Sequence, residues 1–144
     1  MFHKILVAYD GSETARIALN KAIELKQVFV ESILEVVHVF QISNLVLNDA
    51  IIPEPVMIQA ELYQAAEEVV AEARLLVAPL SLATVTLLDG GGAPARVILD
   101  YAEAHQFELV IVGSRGMGNF KEIFLGSVSS EIVHHAQVPV LVVK

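Results

Sequence analysis

The sequence predicts a doubly wound α/β domain, a five-stranded parallel sheet covered by helices on both faces. Three observations carry that expectation. Short apolar runs recur along the chain without polar alternation, as in strands buried on both sides. Segments of helical period separate them. The chain has 144 residues, of which 55% are hydrophobic, enough for one domain over 1–144 to remove about two-thirds of its surface from water.

Ile5 to Tyr9 reads as the first buried strand, closed by the turn cluster Asp10-Gly11-Ser12. Ala15, Ala18, Leu19, Ala22 and Ile23 then repeat at helical spacing, with Ser12 as N-cap. Ile33 to Val39 forms the second strand and ends in His38-Val39. Phe40 to Pro55 has no clean period and ends with two prolines, which predicts a flexible or lid-like segment. Beyond it Ile58, Leu62, Ala65, Ala66, Val69, Val70, Ala73, Leu76 and Val77 line the predicted buried side of a long helix that Pro79 ends. Its other face carries Glu61, Glu67, Glu68 and Glu72, read as solvated.

Thr84 to Leu88 is the third strand. Gly90-Gly91-Gly92 makes a turn before a helix with Pro94 near its first position and Val97, Ile98, Tyr101 and Ala102 inward. Leu109 to Val112 is the fourth strand and opens into Gly113-Ser114-Arg115-Gly116. A helix over Ser127 to His135 follows. Pro139 introduces the last strand, Val140 to Val143. In such a sheet, ligands bind beyond the carboxyl ends of the strands where strand order reverses, so the turns after the first and fourth strands are the places to look.

Composition removes several function classes. Nine Lys and Arg face 17 Asp and Glu, a net charge of −8, which argues against a basic nucleic-acid surface. There is no cysteine, so disulfides, thiolate metal sites and thiol nucleophiles are excluded, and a reducing cytoplasm is the expected compartment. The longest stretch free of Asp, Glu, Lys and Arg, Leu75 to Leu88, has 14 residues and contains Pro79, whereas a membrane helix needs about 20. The first apolar run ends at Asp10, too early for a secretory signal.

The most informative stretch pairs Gly113-x-x-Gly116 with Gly126-Ser127, nine residues on, between a buried strand and a helix. Glycines admit close backbone approach, and a helix start supplies unpaired N–H donors and partial positive charge, an environment suited to phosphate. Ser127 adds a hydroxyl, while Arg115 and Lys121 would place positive charge nearby. The plainer alternative makes Ser127 an N-cap and the glycines a loop. No G-x-x-x-x-G-K-[ST] occurs, so P-loop hydrolysis machinery is missing. Gly90-x-Gly92-x-x-Ala95 matches a loose dinucleotide pattern, but no acid for a ribose stands about 20 residues on, and a structural turn is expected. The five histidines show no metal-ligand spacing, and G-x-S-x-G is absent.

Taken together, Tyr9-Asp10-Gly11-Ser12-Glu13, His38-Val39, Gly92-Ala93-Pro94-Ala95, Val112 to Gly116, Gly126 to Ser129 and Pro139 to Val143 resemble the signatures of the universal stress proteins along the whole chain. The G-x2-G-x9-G-[ST] element resembles that of the ATP-binding branch. The resemblance implies a Rossmann-like fold of the adenine nucleotide alpha hydrolase-like type. It further implies that Val112, Gly113, Arg115 and Gly116 line the ribose and phosphates and that Gly126, Ser127 and Val128 hold the phosphates, with Ser129 as a further donor. Asp10 would lie at the ribose or adenine end, with Ala8 and Val39 flanking the adenine. The residues alone leave Asp10 open between that role and a turn acid capping the first helix. Glu108 before the fourth strand, where the family usually has Asp, and the triple glycine depart from the pattern without touching the phosphate contacts.

The expected function is a nucleotide-dependent stress-response regulator binding ATP with magnesium or manganese, with at most slow hydrolysis. A protein-interaction module contacting its partner through Phe40 to Pro55 is the alternative, and AMP or a cyclic adenine nucleotide is an alternative ligand. A homodimer is expected through Val140 to Val143, whose apolar edge would otherwise stay unpaired.

Overall fold

A computed structural model describes residues 1–42, 45–47, 50–52, 55–91, 93–117 and 124–144. The elements are β1 (Lys4–Ala8), α1 (Glu13–Val28), β2 (Ile33–Phe40), β3 (Leu45–Leu47), β4 (Ala50–Ile52), α2 (Val56–Val77), β5 (Ala83–Asp89), α3 (Pro94–Ala104), β6 (Leu109–Gly113), α4 (Ser127–His135) and β7 (Val140–Val143). Five strands form a parallel sheet in the order β5-β2-β1-β6-β7. From β1 the chain steps outward on one side to β2 and β5, then crosses to β6 and β7 on the other. The order reverses between β1 and β6, and the crevice of a doubly wound sheet opens there.

Alternate residues of each strand serve opposite faces. Ile5, Val7, Leu34, Val36, Leu109 and Ile111 pack with Ala15, Ala18, Leu19 and Ala22 of α1 and with Ala73 and Val77 of α2. Leu6, Ala8, Val37, Val110 and Val112 pack with Ala95, Ile98 and Ala102 of α3 and Ile132 of α4. Because both strand faces are covered, the strand sequences show no alternation. Ser12 caps α1 as expected, its hydroxyl accepting from the Ala15 amide at 3.3 Å.

Two expectations change. The segment after β2 holds a short antiparallel hairpin, β3 against β4, where no regular structure was expected. Strands of three residues are too short to show a period. The inward stripe of α2 is also shorter than its periodicity suggested. Ala66, Val70, Ala73 and Val77 are buried, but Ile58, Leu62 and Leu76 are 41%, 37% and 38% exposed. At its N-terminal end the helix extends past the layer it packs on. The outer carboxylates are partly paired: Glu72 takes a two-pronged contact from Arg16 of α1, at 2.5 and 3.2 Å, and Glu67 lies 4.0 Å from Arg74.

This division between packed and unpacked apolar residues predicts a contrast in stability. Leu19→Ala, at a fully buried position, is expected to cost about 2–5 kcal/mol in urea unfolding. Met57→Ala, at a position 79% exposed, is expected to change stability by under about 0.5 kcal/mol.

Candidate functional site

A cavity of about 230 Å³ opens at the carboxyl ends of β1, β2 and β6. Ala8, Asp10, Val39, Val112, Gly113, Arg115, Gly116, Gly126, Ser127, Val128 and Ser129 all line it, so these expected site residues fall in one place. Lys121, also expected near the site, lies outside the described residues, as does Gly92. Tyr9, Ala15, Val37, His38, Gln41, Pro94 and Ile98 line the cavity too and were not expected as site residues, although Tyr9, His38 and Pro94 belong to the family signatures. Val37 and Ile98 read as ordinary core in a sequence, because a pocket wall and a packed interior select the same side chains.

One half of the cavity is apolar: Ala8, Val37, Val39, Val112 and Ile98 come from three strands and the start of α3. The other half is polar and depends on the backbone. Gly126 is the N-cap of α4, in extended conformation and with no side chain to cap the helix. The first bond of the helix runs from Ser130 N–H to the Gly126 carbonyl, at 2.9 Å. The amides of Ser127, Val128 and Ser129 precede that bond and have no partner within the helix. Ser127 is therefore the first helical residue and not the cap, which removes the plainer reading of its hydroxyl. It is exposed and makes no side-chain hydrogen bond among the described residues.

Ser129 has a different part. Its buried hydroxyl donates toward the carbonyls of Ser114, at 3.0 Å, and Gly126, at 3.1 Å, tying the start of α4 to the exit of β6. That proton is committed to the loop, so Ser129 can offer a ligand its amide but not a hydroxyl donor. The Gly126 amide reaches the same Ser114 carbonyl at 2.7 Å, and the Ser114 amide donates to the Val143 carbonyl of β7 at 2.7 Å. The Thr14 hydroxyl donates to the Arg115 carbonyl at 2.5 Å. These bonds hold the turn while the exposed Arg115 side chain, which pairs with no carboxylate among the described residues, stays available at the cavity rim.

The glycines divide between packing and site. A Cβ on Gly113 would lie 2.6 Å from Thr14 Oγ1 and 2.8 Å from the Ala15 amide nitrogen, so this glycine lets α1 rest on β6. A Cβ on Gly90 would fall 2.2 Å from the Val39 side chain, in keeping with the structural turn expected there. Gly116 faces the site: its Cβ would stand 2.9 Å from Asp10 Oδ2. Asp10 Oδ1 accepts the Ser12 amide at 2.9 Å, which makes it a turn acid, while the residue also lines the cavity. The two readings of Asp10 are compatible.

Beside it, His38 Nδ1 sits 2.8 Å from the Tyr9 carbonyl. A carbonyl only accepts, so Nδ1 carries the hydrogen and Nε2 is the ring's other polar atom. Burial, with the neighbouring Glu72 carboxylate, pushes the Tyr9 phenol up to about 12, and no group among the described residues is aligned for a full hydrogen bond to its buried oxygen. Tyr9 therefore stays neutral beneath the site at physiological pH. Arg16 in turn holds the Glu72 carboxyl below the usual carboxylate range.

The chain matches the universal stress protein family over residues 1–144. It belongs to that family. The universal stress protein YxiE of Bacillus subtilis is 33% identical over 149 residues, covering all of both chains. Among solved structures, that of the hypothetical protein MJ0577 superimposes with a TM-score of 0.79 at 26% identity, covering 100% of this chain and 96% of the other. The universal stress protein of Archaeoglobus fulgidus in complex with dAMP gives 0.71 at 23% identity, covering 99% and 98%. A universal stress protein in complex with cAMP gives 0.71 at 20% identity, covering 99% and 97%. The Rossmann-like architecture is thus shared across the family.

The two serines of the loop predict different losses. Ser129→Ala removes a donor shared by the Ser114 and Gly126 carbonyls, each of which keeps a backbone partner, and is expected to cost about 0.5–1.5 kcal/mol in chemical unfolding. Ser127→Ala is expected to stay within about 0.5 kcal/mol of the parent in the same measurement.

Proposed function

We propose that this universal stress protein binds an adenine nucleotide, ATP foremost, with the phosphates at the start of α4 and the base between Ala8, Val37, Val39 and Ile98. The observation that carries the reading is the uncapped helix start at the cavity wall. Gly126 leaves the first amides of α4 without a side-chain partner, and an anion satisfies such donors and meets the positive end of the helix dipole. Arg115 adds positive charge at the cavity rim of a protein whose net charge is −8. The apolar half suits a purine face, and backbone atoms of β2 at its rim suit the edge of a base. The dAMP and cAMP complexes of two proteins of the same fold support an adenine ligand.

Among the described residues no group of three His, Asp or Glu side chains converges to cage a metal. Magnesium or manganese would therefore be carried by phosphate oxygens and water, the usual manner of magnesium at a nucleotide. Among the described residues Asp10 is the sole carboxylate lining the cavity, and one of its oxygens already holds the Ser12 amide. With no P-loop lysine motif in the sequence, hydrolysis is slow and occupancy itself is the signal of a cytoplasmic regulator. The reading includes a homodimer through β7, an edge strand that pairs only with β6 among the described residues and whose Leu141 is 38% exposed. Sedimentation at micromolar concentration should then show a dimer, and Leu141→Lys should give a monomer. A parent protein that sediments as a monomer contradicts this part.

Calorimetric titration with ATP, ADP, AMP and cyclic AMP, with and without magnesium, tests the nucleotide reading on the parent and on Gly126→Asp. An added Cβ at Gly126 meets its nearest neighbour at 3.4 Å, so the position accepts a side chain. The aspartate would cap α4 with its own carboxylate and stabilise the helix by about 0.5–1 kcal/mol. It would also fill the donors and repel phosphate. A variant at least as stable as the parent with ATP affinity reduced by about a hundredfold is the expected result. Equal ATP affinity in both proteins, or no nucleotide binding by the parent, contradicts the proposal.

A further inference from the structure

A second cavity, of about 360 Å³, lies in the groove between α3 and α4 and shares no lining residue with the one at the strand ends. On α3 its wall is a single helical stripe, Arg96, Leu99, Asp100 and Glu103 at i, i+3, i+4 and i+7. Glu131 and His135, at i and i+4 of α4, line it from the other helix. The buried Ala102 and the half-buried Leu99 and Val138 supply apolar surface in the same groove. Carboxylates and apolar side chains therefore border one concavity rather than opposite faces of a helix.

The charges in the groove do not cancel. Arg96 meets Asp100 at 3.8 Å, with both side chains largely exposed. Glu103 and Glu131 have no ion pair among the described residues. An anionic ligand would meet these two unmatched carboxylates at close range and be repelled. A metal ion is poorly served, because among the described residues no three His, Asp or Glu side chains converge. A neutral apolar molecule would strip water from the carboxylates and return nothing to them.

An ammonium group on an aliphatic chain answers both parts. Its carbons cover Leu99, Ala102 and Val138, and its nitrogens donate charge-assisted hydrogen bonds to Glu103 and Glu131. From Arg96 to Glu103 the helix rises about 10 Å, a length that calls for several carbons and not a compact cation. Nine described residues line the groove, whereas a protein–protein interface takes about 20–30 on each side, so the dimensions suit a small molecule.

We infer that the α3–α4 groove binds an aliphatic di- or polyamine, with Glu103 and Glu131 as its charge partners. The inference stands whatever fills the cavity at the strand ends.

The test is an amide-resolved NMR titration of the full chain with 1,6-diaminohexane, spermidine and ammonium chloride at constant ionic strength. With the two amines, the amides of Leu99, Glu103, Glu131 and His135 should shift together and saturate, while ammonium at equal concentration moves them little. Glu103→Gln with Glu131→Gln should weaken amine binding by about tenfold or more. Glu61→Gln with Glu68→Gln, on exposed positions of α2, removes the same net charge and should leave binding unchanged. All four positions are exposed, so both pairs should keep the parent's unfolding midpoint, which is measured alongside. Shifts that never saturate, equal weakening by the two pairs, or ammonium acting as well as the diamine would mean general attraction to an acidic surface and overturn the inference. A lysine-containing helical peptide that saturates the same amides at lower concentration than spermidine would make the groove a protein-docking surface, which overturns it as well.

Discussion

The turn at Ser114 and Arg115 is the constraint on which the site depends. Its backbone is held from three directions: the Ser114 amide by the end of β7, the Ser114 carbonyl by Gly126 and Ser129, and the Arg115 carbonyl by Thr14 at the start of α1. Each bond is ordinary alone, worth about 0.5–1.5 kcal/mol net. Together they fix the position of the α4 N-terminus relative to β1 and β6. Without them the strand-to-helix loop would carry Gly126 and its neighbours away from the crevice, and the unpaired amides would face water. Gly113 belongs to the same arrangement, because its missing side chain is what lets α1 bring Thr14 within reach.

The division of labour follows from this rigidity. Backbone donors at a helix start are oriented before any ligand arrives, so an anion there costs little reorganisation of the protein. The apolar strand ends on the other side supply surface without demanding particular side chains, which suits recognition of a flat ring. Arg115 stands where the sheet, the helix and solvent meet. The end of β7 sits on the same turn, with Lys144 stacked over the Phe124 ring at 4.3 Å. The proposed dimer edge and the proposed phosphate loop therefore share backbone contacts, a physical route by which one could sense the other.

How much of this was legible in the sequence varied with the kind of interaction. Uninterrupted apolar runs revealed the sheet, since strands such as Leu109 to Val112 are buried on both faces and carry no polar residue. The spacing of Gly113, Gly116, Gly126 and Ser127 revealed the site, because close approach leaves a residue-type signature. Roles that depend on three-dimensional placement were hidden. Nothing in the sequence separates Ser127, at the first helical position with a free hydroxyl, from Ser129, whose hydroxyl is bound to Ser114 and Gly126. Likewise the periodicity of α2 could not say where its supporting layer stops, so Ile58 and Leu62 read as core although they overhang it. The β3–β4 hairpin was missed for a simpler reason: three residues hold barely one period of a strand.

The central claim is that the first amides of α4 are the phosphate donors, and amide-resolved NMR addresses it directly. In a titration of the isotope-labelled chain with ADP, the amide protons of Ser127 and Val128 should move downfield together and saturate with the affinity read from the rest of the cavity. Adenosine, which lacks phosphate, should shift the residues around Val39 and leave those two amides in place. If Ser127 and Val128 respond equally to adenosine and ADP, or to neither while other cavity residues saturate, the phosphate does not sit at this helix start and the account is wrong.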